Sequence, residues 1–330
     1  MNTEQEALQI KIDNPERRSF LARTSLCSVG TLALPLAGCG NSIAEEAQDT
    51  AYTIDTSIQS PNHDSRVRTL VLHYTAQTLV DSLASLTDPQ MQGSSHYLVP
   101  DAASGGGRFR IYALAQESRR TWHAGVSYWQ GERMLNASTV GIEVVNLGFP
   151  AQDENEPLMS RRWYPYAEEQ IAVVGRLAAD VIARHEILPQ KVIGHSDIAP
   201  GRKWDPGPLF PWHQLYAQYG VGAWPEAEAV RYYGSHQPFR GDIGALQGKL
   251  LAYGYDAPQT GVLDAQTGDV VAAFQAHFRS ARYDGVPDVE TVAILDALLE
   301  KYFRRARMQL RQVVPGQLEP QDENEKGSDT

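Results

Sequence analysis

One stretch rich in proline and glycine constrains the fold more than any other part of the chain. It reads GHSDIAPGRKWDPGPLFPW, from Gly194 to Trp212, and contains four prolines and three glycines. Proline fixes φ and lacks an N–H, which excludes an ordinary helix or a central strand here. The loop therefore holds one shape, yet it carries a histidine, a lysine and two aspartates. This combination is typical of a functional site, with an ordinary surface loop as the alternative.

Length and charge limit the class of protein. With 330 residues the chain has room for two domains and a sizeable core. The formal net charge of −11 argues against a nucleic-acid partner, because such binding requires a basic surface. It also provides no electrostatic attraction to anionic lipid headgroups. We therefore expect a globular protein that binds no nucleic acid, with a monomer as the default state.

The first 39 residues are predicted to be a signal segment. Arg17-Arg18, followed by Ser-Phe-Leu, resembles a twin-arginine export signal, and Leu36–Cys39 resembles a bacterial lipobox in which Cys39 is acylated. The alternative is a transmembrane helix, but Leu21–Gly38 is diluted by Ser, Thr and Gly and is weaker than the roughly 20 strongly apolar residues that a span requires.

The two cysteines of the chain fit this prediction. Cys27 would be removed with the signal and Cys39 would carry lipid, so disulfides, cysteine-ligated zinc and cysteine nucleophiles are excluded from the mature chain. Gly40 and Asn41 after the lipidated cysteine, with no aspartate there, are compatible with outer-membrane sorting, as the resemblance to Gram-negative lipoproteins suggests. We expect a protein that faces the periplasm from the outer membrane and contacts the membrane only through its lipid anchor.

The rest of the chain divides into a tether, two domains and a tail. Residues 40–60 are polar and predict the tether. Several strand-like segments and the amphipathic segment Glu168–His185 predict an α/β domain over residues 61–225. The strand-like segments are Arg68–Ala76, His96–Val99, Arg108–Leu114, Thr139–Asn146 and Lys191–Ile193. Residues 226–237 are polar and predict a linker.

A short internal repeat marks the C-terminal domain, which is predicted over residues 238–302. The pattern G-V-x-D-x-x-T begins at Gly261 and returns 24 residues later at Gly285. Asp264 and Asp288 are natural N-caps for the apolar helical segments that follow. With the helix near Ile243 they predict a small three-helix bundle. Residues 303–330, basic and then acidic, are predicted to be a disordered tail.

Four residues of the α/β domain and its rigid loop suggest hydrolytic zinc chemistry. His73 ends a predicted strand, and His195 and Asp205 lie in the loop, so two imidazoles and a carboxylate would leave an open position for water on zinc. Glu143, a carboxylate inside a buried strand, would transfer protons. Alternatively, Glu143 pairs with an arginine and His73 is an ordinary core histidine. Asp197 competes with Asp205 as the third ligand.

Five motifs give the chain a resemblance to a known family. VLHYTA, SSHYLV, TWHAGVSYWQG, NASTVGIEVVN and the loop itself occur in the order found in zinc-dependent type 2 N-acetylmuramoyl-L-alanine amidases. They cover residues 61 to about 215 and are most similar to the outer-membrane lipoprotein members. The resemblance implies a mixed central sheet flanked by helices, related to peptidoglycan-recognition proteins. Residues 238–302 resemble a peptidoglycan-binding domain of the three-helix type.

The resemblance also implies residue roles. It makes His73, His195 and Asp205 the ligands of one Zn²⁺ per chain, with Asp197 bracing the loop. Glu143 becomes the catalytic acid and base, and Lys203 stabilises the transition state. It further suggests that three residues line the substrate groove, although a structural role is equally open for the two histidines. These residues are His96, His123 and Trp122.

The expected activity is hydrolysis of the amide between the lactyl group of N-acetylmuramic acid, or of its anhydro form, and L-alanine of the stem peptide. This would serve cell-wall turnover or recycling, with peptidoglycan and muropeptides as the partners. One alternative is a non-catalytic lipoprotein that tethers the outer membrane to the wall. Another is a zinc peptidase that cuts within the stem peptide.

Overall fold

The computed structural model describes residues 55–313, with side chains as far as residue 303. The predicted signal segment, most of the tether and the tail beyond residue 313 lie outside the described residues. Pro61 begins a compact unit that includes both the α/β domain and the C-terminal helices. Across the described part of the chain, no helix combines the length and apolar character that a bilayer crossing requires.

A five-stranded mixed sheet forms the centre of the α/β domain. Its strand order is β3-β2-β6-β1-β7, in which β2, β6, β1 and β7 run parallel and only β3 is antiparallel. A separate hairpin pairs β4 with β5. The strands are Thr69–Tyr74 (β1), Tyr97–Val99 (β2), Tyr112–Ala113 (β3), Tyr128–Trp129 (β4), Glu132–Arg133 (β5), Thr139–Val144 (β6) and Val192–Gly194 (β7). The mixed sheet expected from the sequence is confirmed.

Helices cover the sheet and continue into the C-terminal region. The α-helices in the described range are Leu79–Thr87 (α1), Glu168–His185 (α2), His195–Ile198 (α3), Trp212–Tyr219 (α4), Ala227–His236 (α5), Ile243–Tyr253 (α6), Ala265–Phe278 (α7) and Val289–Val313 (α8). Helix α2 has the predicted bounds and buries Ile171, Val174 and Val181 in the core beneath the sheet. Strands β1 and β6 are almost continuously buried, as expected for parallel strands in the interior.

The register of the parallel strands brings chemical groups to one edge of the sheet. His73 of β1 lies directly opposite Glu143 of β6. On the other side of β1, Leu72 lies opposite Gly194, the last residue of β7, so His195 follows at the same edge. Carboxyl ends of parallel strands are where α/β proteins place their sites.

Two predictions for the C-terminal part are wrong. The expected linker forms helix α5, because Val230 packs against the core and the Tyr233 hydroxyl donates to Glu300 on α8. Residues 238–302 contain the three predicted helices α6, α7 and α8, and α5 packs against α8 as a fourth. The expected disorder is also wrong for residues 303–313, which continue α8. Phe303 packs against the core, and the following residues are mostly strong helix formers.

The repeat identified in the sequence has a structural cause. Gln247 of α6 is fully buried; its amide donates to the Val262 carbonyl and the Thr267 hydroxyl and accepts the Gly261 N–H. Gln275 of α7 makes the same three contacts with the second copy, at Val286, Thr291 and Gly285. Asp264 and Asp288 cap the following helices as predicted. The repeated glycine and threonine are therefore partners of a buried glutamine.

Replacing one of these glutamines tests their contribution to stability. Gln275→Leu should lower the free energy of unfolding by about 2–4 kcal/mol, because buried backbone and hydroxyl groups lose their partners. Urea unfolding followed by circular dichroism measures this. Gln218→Leu, at an exposed position of α4, is the matched control and should change stability little. Equal stability of the two variants would contradict the assigned role.

Candidate metal site

Three side chains converge at the carboxyl edge of the sheet. His73 Nδ1 lies 2.9 Å from Asp205 Oδ2 and 3.1 Å from His195 Nδ1, and His195 Nδ1 lies 3.1 Å from the same carboxylate oxygen. All three residues are buried, and together they form a group able to hold a metal ion. The loop thus brings Asp205 to the two histidines.

Backbone hydrogen bonds give the loop this shape. The rigid stretch begins with a single helical turn, α3, and then reverses. The Lys203 N–H donates to the Ala199 carbonyl, and the Ser196 N–H donates to the Asp205 carbonyl at 2.9 Å. Asp205 therefore returns to the side of His195, ten residues after it. This explains why both ligand types come from one short stretch.

A chain of hydrogen bonds fixes which nitrogen of His73 carries hydrogen. The Thr139 hydroxyl donates to the Leu135 carbonyl, so it can only accept from His123 Nε2 at 3.0 Å. The neutral His123 ring then has a bare Nδ1, which accepts from His73 Nε2 at 3.0 Å. Burial lowers the pKa of His123 well below its ordinary value and the pKa of His73 to about 4, so both rings are neutral. His73 Nδ1 is left as a lone pair.

The Nε2 of His195, like that of His73, faces a hydrogen-bond acceptor. His195 Nε2 lies 3.2 Å from the Ala124 carbonyl, which can only accept, so in a neutral ring Nδ1 is again a lone pair. Asp205, which is also buried, places one carboxylate oxygen beside both lone pairs. Two nitrogen lone pairs and one carboxylate oxygen thus meet without a proton between them. This donor set fits a divalent cation such as zinc.

One segment supports the imidazoles of both His73 and His195 by accepting hydrogen bonds from their Nε2 atoms. His123 and Ala124 are adjacent, and each accepts from one of the two metal-site histidines. The backbone N–H groups of both residues donate to Asn136 Oδ1, at 3.1 and 2.8 Å. The Arg202 guanidinium also donates to the Ala124 carbonyl at 3.0 Å. Sequence reasoning missed Asn136 and Arg202 in this role, although both lie inside the quoted motifs.

Glu143 has the properties of a proton-transfer group. Its Oε2 is buried and has no hydrogen-bond partner among residues 55–313. Burial, together with the charge of Asp205, raises the pKa of Glu143 well above its ordinary value, while the charge of Lys203 opposes the shift. The alternative of an arginine partner for Glu143 does not occur in the described part of the chain. The side chain is therefore available to the cleft.

The site opens into a cleft of about 370 Å³. Lys203 lines it beside the metal-site residues, and so do Trp122, which is 55% exposed, and Trp204. Arg161 lies over the ring of Trp204 at 5.4 Å. A cation and two indole rings that line the cleft, one exposed and one half-buried, suit a polar substrate that carries sugar or amide surfaces.

Two residues named from the sequence lie elsewhere. His96 is fully buried; its Nδ1 accepts the Gly141 N–H and its Nε2 lies 3.0 Å from the Arg119 carbonyl. It links β6 to the backbone at Arg119 and is not among the residues that line the cleft. Asp197 is not a member of the metal group, and its carboxylate is bonded elsewhere.

The comparison with family profiles agrees with this arrangement. The profile of the N-acetylmuramoyl-L-alanine amidase family matches residues 63–208, which include the whole metal site. The profile of a peptidoglycan binding domain matches residues 240–295, within the C-terminal helices.

Individual relatives are similar over most of the chain. The N-acetylmuramoyl-L-alanine amidase AmiD of Escherichia coli (strain K12) is 43% identical over 275 residues, which is 82% of this chain and 95% of that protein. A structure of E. coli AmiD, in complex with the substrate anhydro-N-acetylmuramic acid-L-Ala-D-gamma-Glu-L-Lys, is similar with a TM-score of 0.68 at 43% identity, covering 76% of this chain and 96% of that one. The crystal structure of AmpDh3 from Pseudomonas aeruginosa also has a TM-score of 0.68, at 40% identity, covering 76% and 99% of the respective chains.

Removing the Asn136 amide tests the brace. Asn136→Ala should weaken divalent metal binding about tenfold, because the segment that orients both imidazoles loses its anchor. Competition with a chelator at a temperature far below unfolding measures the affinity. Asn155→Ala, at an exposed position, is the control and should bind metal normally. Unchanged affinity in Asn136→Ala would show that the segment is held by other contacts.

Proposed function

This chain belongs to the N-acetylmuramoyl-L-alanine amidase family, and we propose that it cleaves its amide with one zinc ion held by His73, His195 and Asp205. The reaction of the family joins water to the lactyl carbonyl of N-acetylmuramic acid and releases the amine of L-alanine. The lone-pair geometry of the three side chains carries this proposal. Bound zinc would polarise the carbonyl and lower the pKa of water toward about 7.

Glu143 is the proposed proton carrier. Its unpartnered oxygen takes the proton from the attacking water and delivers it to the nitrogen as the C–N bond breaks. The raised pKa supports this role, because a carboxylate that binds a proton more tightly than an ordinary glutamate is the stronger base toward the attacking water. Lys203 places a positive charge beside the oxygen that becomes negative as the carbonyl carbon turns tetrahedral.

The proposed substrate is a muropeptide, in the anhydro or the intact form. This is supported by the anhydromuramyl peptide bound in the similar E. coli structure and by the indole rings of Trp122 and Trp204 at the cleft. The C-terminal domain binds peptidoglycan, as its family match indicates, and raises the local concentration of the polymer at the cleft.

The variant Glu143→Gln tests the proton transfer. It should bind zinc as the wild type does, yet release L-alanine-containing peptide from muropeptides about 10²–10⁴-fold more slowly. Zinc content and mass spectrometry of the digest are the two measurements. Glu169→Gln on the exposed side of α2 is the control and should keep full activity.

The products and the metal dependence separate this proposal from its alternatives. A wild-type digest should contain intact stem peptides freed from the sugar, and a chelator should abolish their release. Fragments cut inside the stem would indicate a peptidase, and no product with or without metal would indicate a wall binder. Wild-type rates from Glu143→Gln would remove this residue from the mechanism.

We further propose that the protein is exported by the twin-arginine route and anchored in the outer membrane through a lipid on Cys39. This is supported by Arg17-Arg18 and by the sequence Leu-Ala-Gly-Cys at residues 36–39. The membrane would then hold the enzyme close to its polymeric substrate on the periplasmic side.

Two cysteine variants test the anchor. Cys39→Ser should move the protein from the membrane fraction to the soluble periplasmic fraction and abolish labelling with radioactive palmitate in a Gram-negative host. Cys27→Ser is the matched control, because that residue would be removed with the signal, and it should remain in the membrane. Membrane retention of Cys39→Ser would contradict the proposed lipidation.

A further inference from the structure

Asp197 lies two residues after the metal-site histidine His195, on the same helical turn. It is 1% exposed, and its carboxylate binds groups outside the metal site. In the described structure no lysine or arginine pairs with it. A buried carboxylate of this kind is costly unless hydrogen-bond donors replace its water, so the identity of those donors is informative.

The donors come mainly from the C-terminal domain. Asp197 Oδ1 accepts from the Tyr255 hydroxyl at 2.6 Å, and Oδ2 accepts from His277 Nδ1 at 2.7 Å. The third donor is the N–H of Gly194, at 2.7 Å from Oδ2. One carboxylate thus links the residue before His195 to two side chains of the other domain. Tyr255 is fully buried and His277 is 5% exposed.

Stacking holds the His277 ring in place, and its Nδ1–H donates to Asp197. The ring stacks on Trp212 at 3.8 Å between ring centroids and on Phe278 at 4.0 Å. Its Nε2 is buried and has no hydrogen-bond partner in the part of the chain that the structure describes. An apolar ring of similar size would fill this space without leaving a nitrogen unpaired. What the imidazole adds over an apolar ring is therefore a single hydrogen bond, the one from Nδ1 to Asp197.

Packing transmits this contact to the metal site. A side-chain atom added at Gly194 would lie 2.6 Å from Pro206 Cδ, so the turn is in close contact with the residue after Asp205. Around it, Ile198 and Ala199 share one buried cluster with apolar residues of the C-terminal domain. A shift of Gly194 would thus displace both His195 and Asp205.

We propose that Asp197, Tyr255 and His277 form a clamp by which the C-terminal domain positions the metal-binding turn. The domain then has two roles, wall binding and support of the catalytic centre. This inference rests on the proposed zinc hydrolase function. Asp197, Tyr255 and His277 act as positioning residues, because none of them contacts the metal group.

Two substitutions of His277 distinguish the hydrogen bond from packing. Asparagine places its amide nitrogen near the position of Nδ1 and can still donate to Asp197, whereas glutamine places it near Nε2. Tyr255→Phe removes one hydroxyl and is the smallest change available. Tyr253→Phe, at a neighbouring buried tyrosine that makes no hydrogen bond to Asp197, is the matched control.

The full-length variants are compared by chelator competition, by the visible spectrum of the cobalt-substituted protein and by turnover of a small soluble muropeptide. His277→Gln and Tyr255→Phe should lose about tenfold or more in metal affinity and in kcat, with an altered cobalt spectrum and little change in KM. His277→Asn and Tyr253→Phe should stay within about threefold of the wild type. All measurements are made well below each variant's Tm.

Wild-type metal affinity, spectrum and turnover in Tyr255→Phe, with only a lower Tm, would overturn the clamp. Loss of activity on whole sacculi alone would also overturn it, because the domain would then act only by adhesion. If His277→Gln does not fold, Tyr255→Phe still decides the question. A wild-type protein that binds no zinc would instead refute the proposed function, which keeps the two failures distinct.

Discussion

The site depends on three electron-pair donors held about 3 Å apart with no proton between them. His73 Nδ1, His195 Nδ1 and Asp205 Oδ2 repel one another unless a cation lies among them. Their orientation is imposed from outside: the hydroxyl of Thr139 and the carbonyl of Ala124 determine which ring nitrogens carry hydrogen. A divalent metal bound among them would remove this repulsion. The surrounding hydrogen bonds are as much a part of the site as the three ligands.

Strand register places the reacting groups around this centre. His73 and Glu143 lie opposite one another on parallel strands, so the carboxylate proposed to transfer protons lies next to the candidate metal group without any loop to position it. The same burial that raises the pKa of Glu143 isolates its oxygen from other donors. A rigid sheet thus holds the proposed base and one proposed ligand, and the proline-rich loop holds the other two proposed ligands. Loops carry function well only when a scaffold fixes both ends, and here β7 and α4 do so.

The sequence predicted what short-range chemistry determines. Helical periodicity located α2, and capping aspartates located α7 and α8. The three proposed metal ligands, chosen from the order of the motifs, lie together in the structure. Sequence reasoning failed where contacts between distant parts of the chain determine the structure. The segment 226–237 is polar enough to resemble a linker, but Val230 and Tyr233 find partners on another part of the chain. Asn136 has no distinctive pattern, because its role depends on two backbone N–H groups that only the fold brings together. The same is true of His277, which is 80 residues from Asp197 along the chain.

The two domains are not independent modules. Trp129 of the α/β domain packs against Tyr253 and Tyr255, and the Gln130 N–H donates to the Gly254 carbonyl. Domains joined only for substrate affinity are usually connected by a flexible linker, since reach then matters more than orientation. Here a shared buried cluster fixes the orientation instead. A wall-bound C-terminal domain would therefore present the catalytic cleft to the polymer at one fixed angle. Selection among bonds in an extended substrate then follows from geometry as well as from the contacts within the cleft.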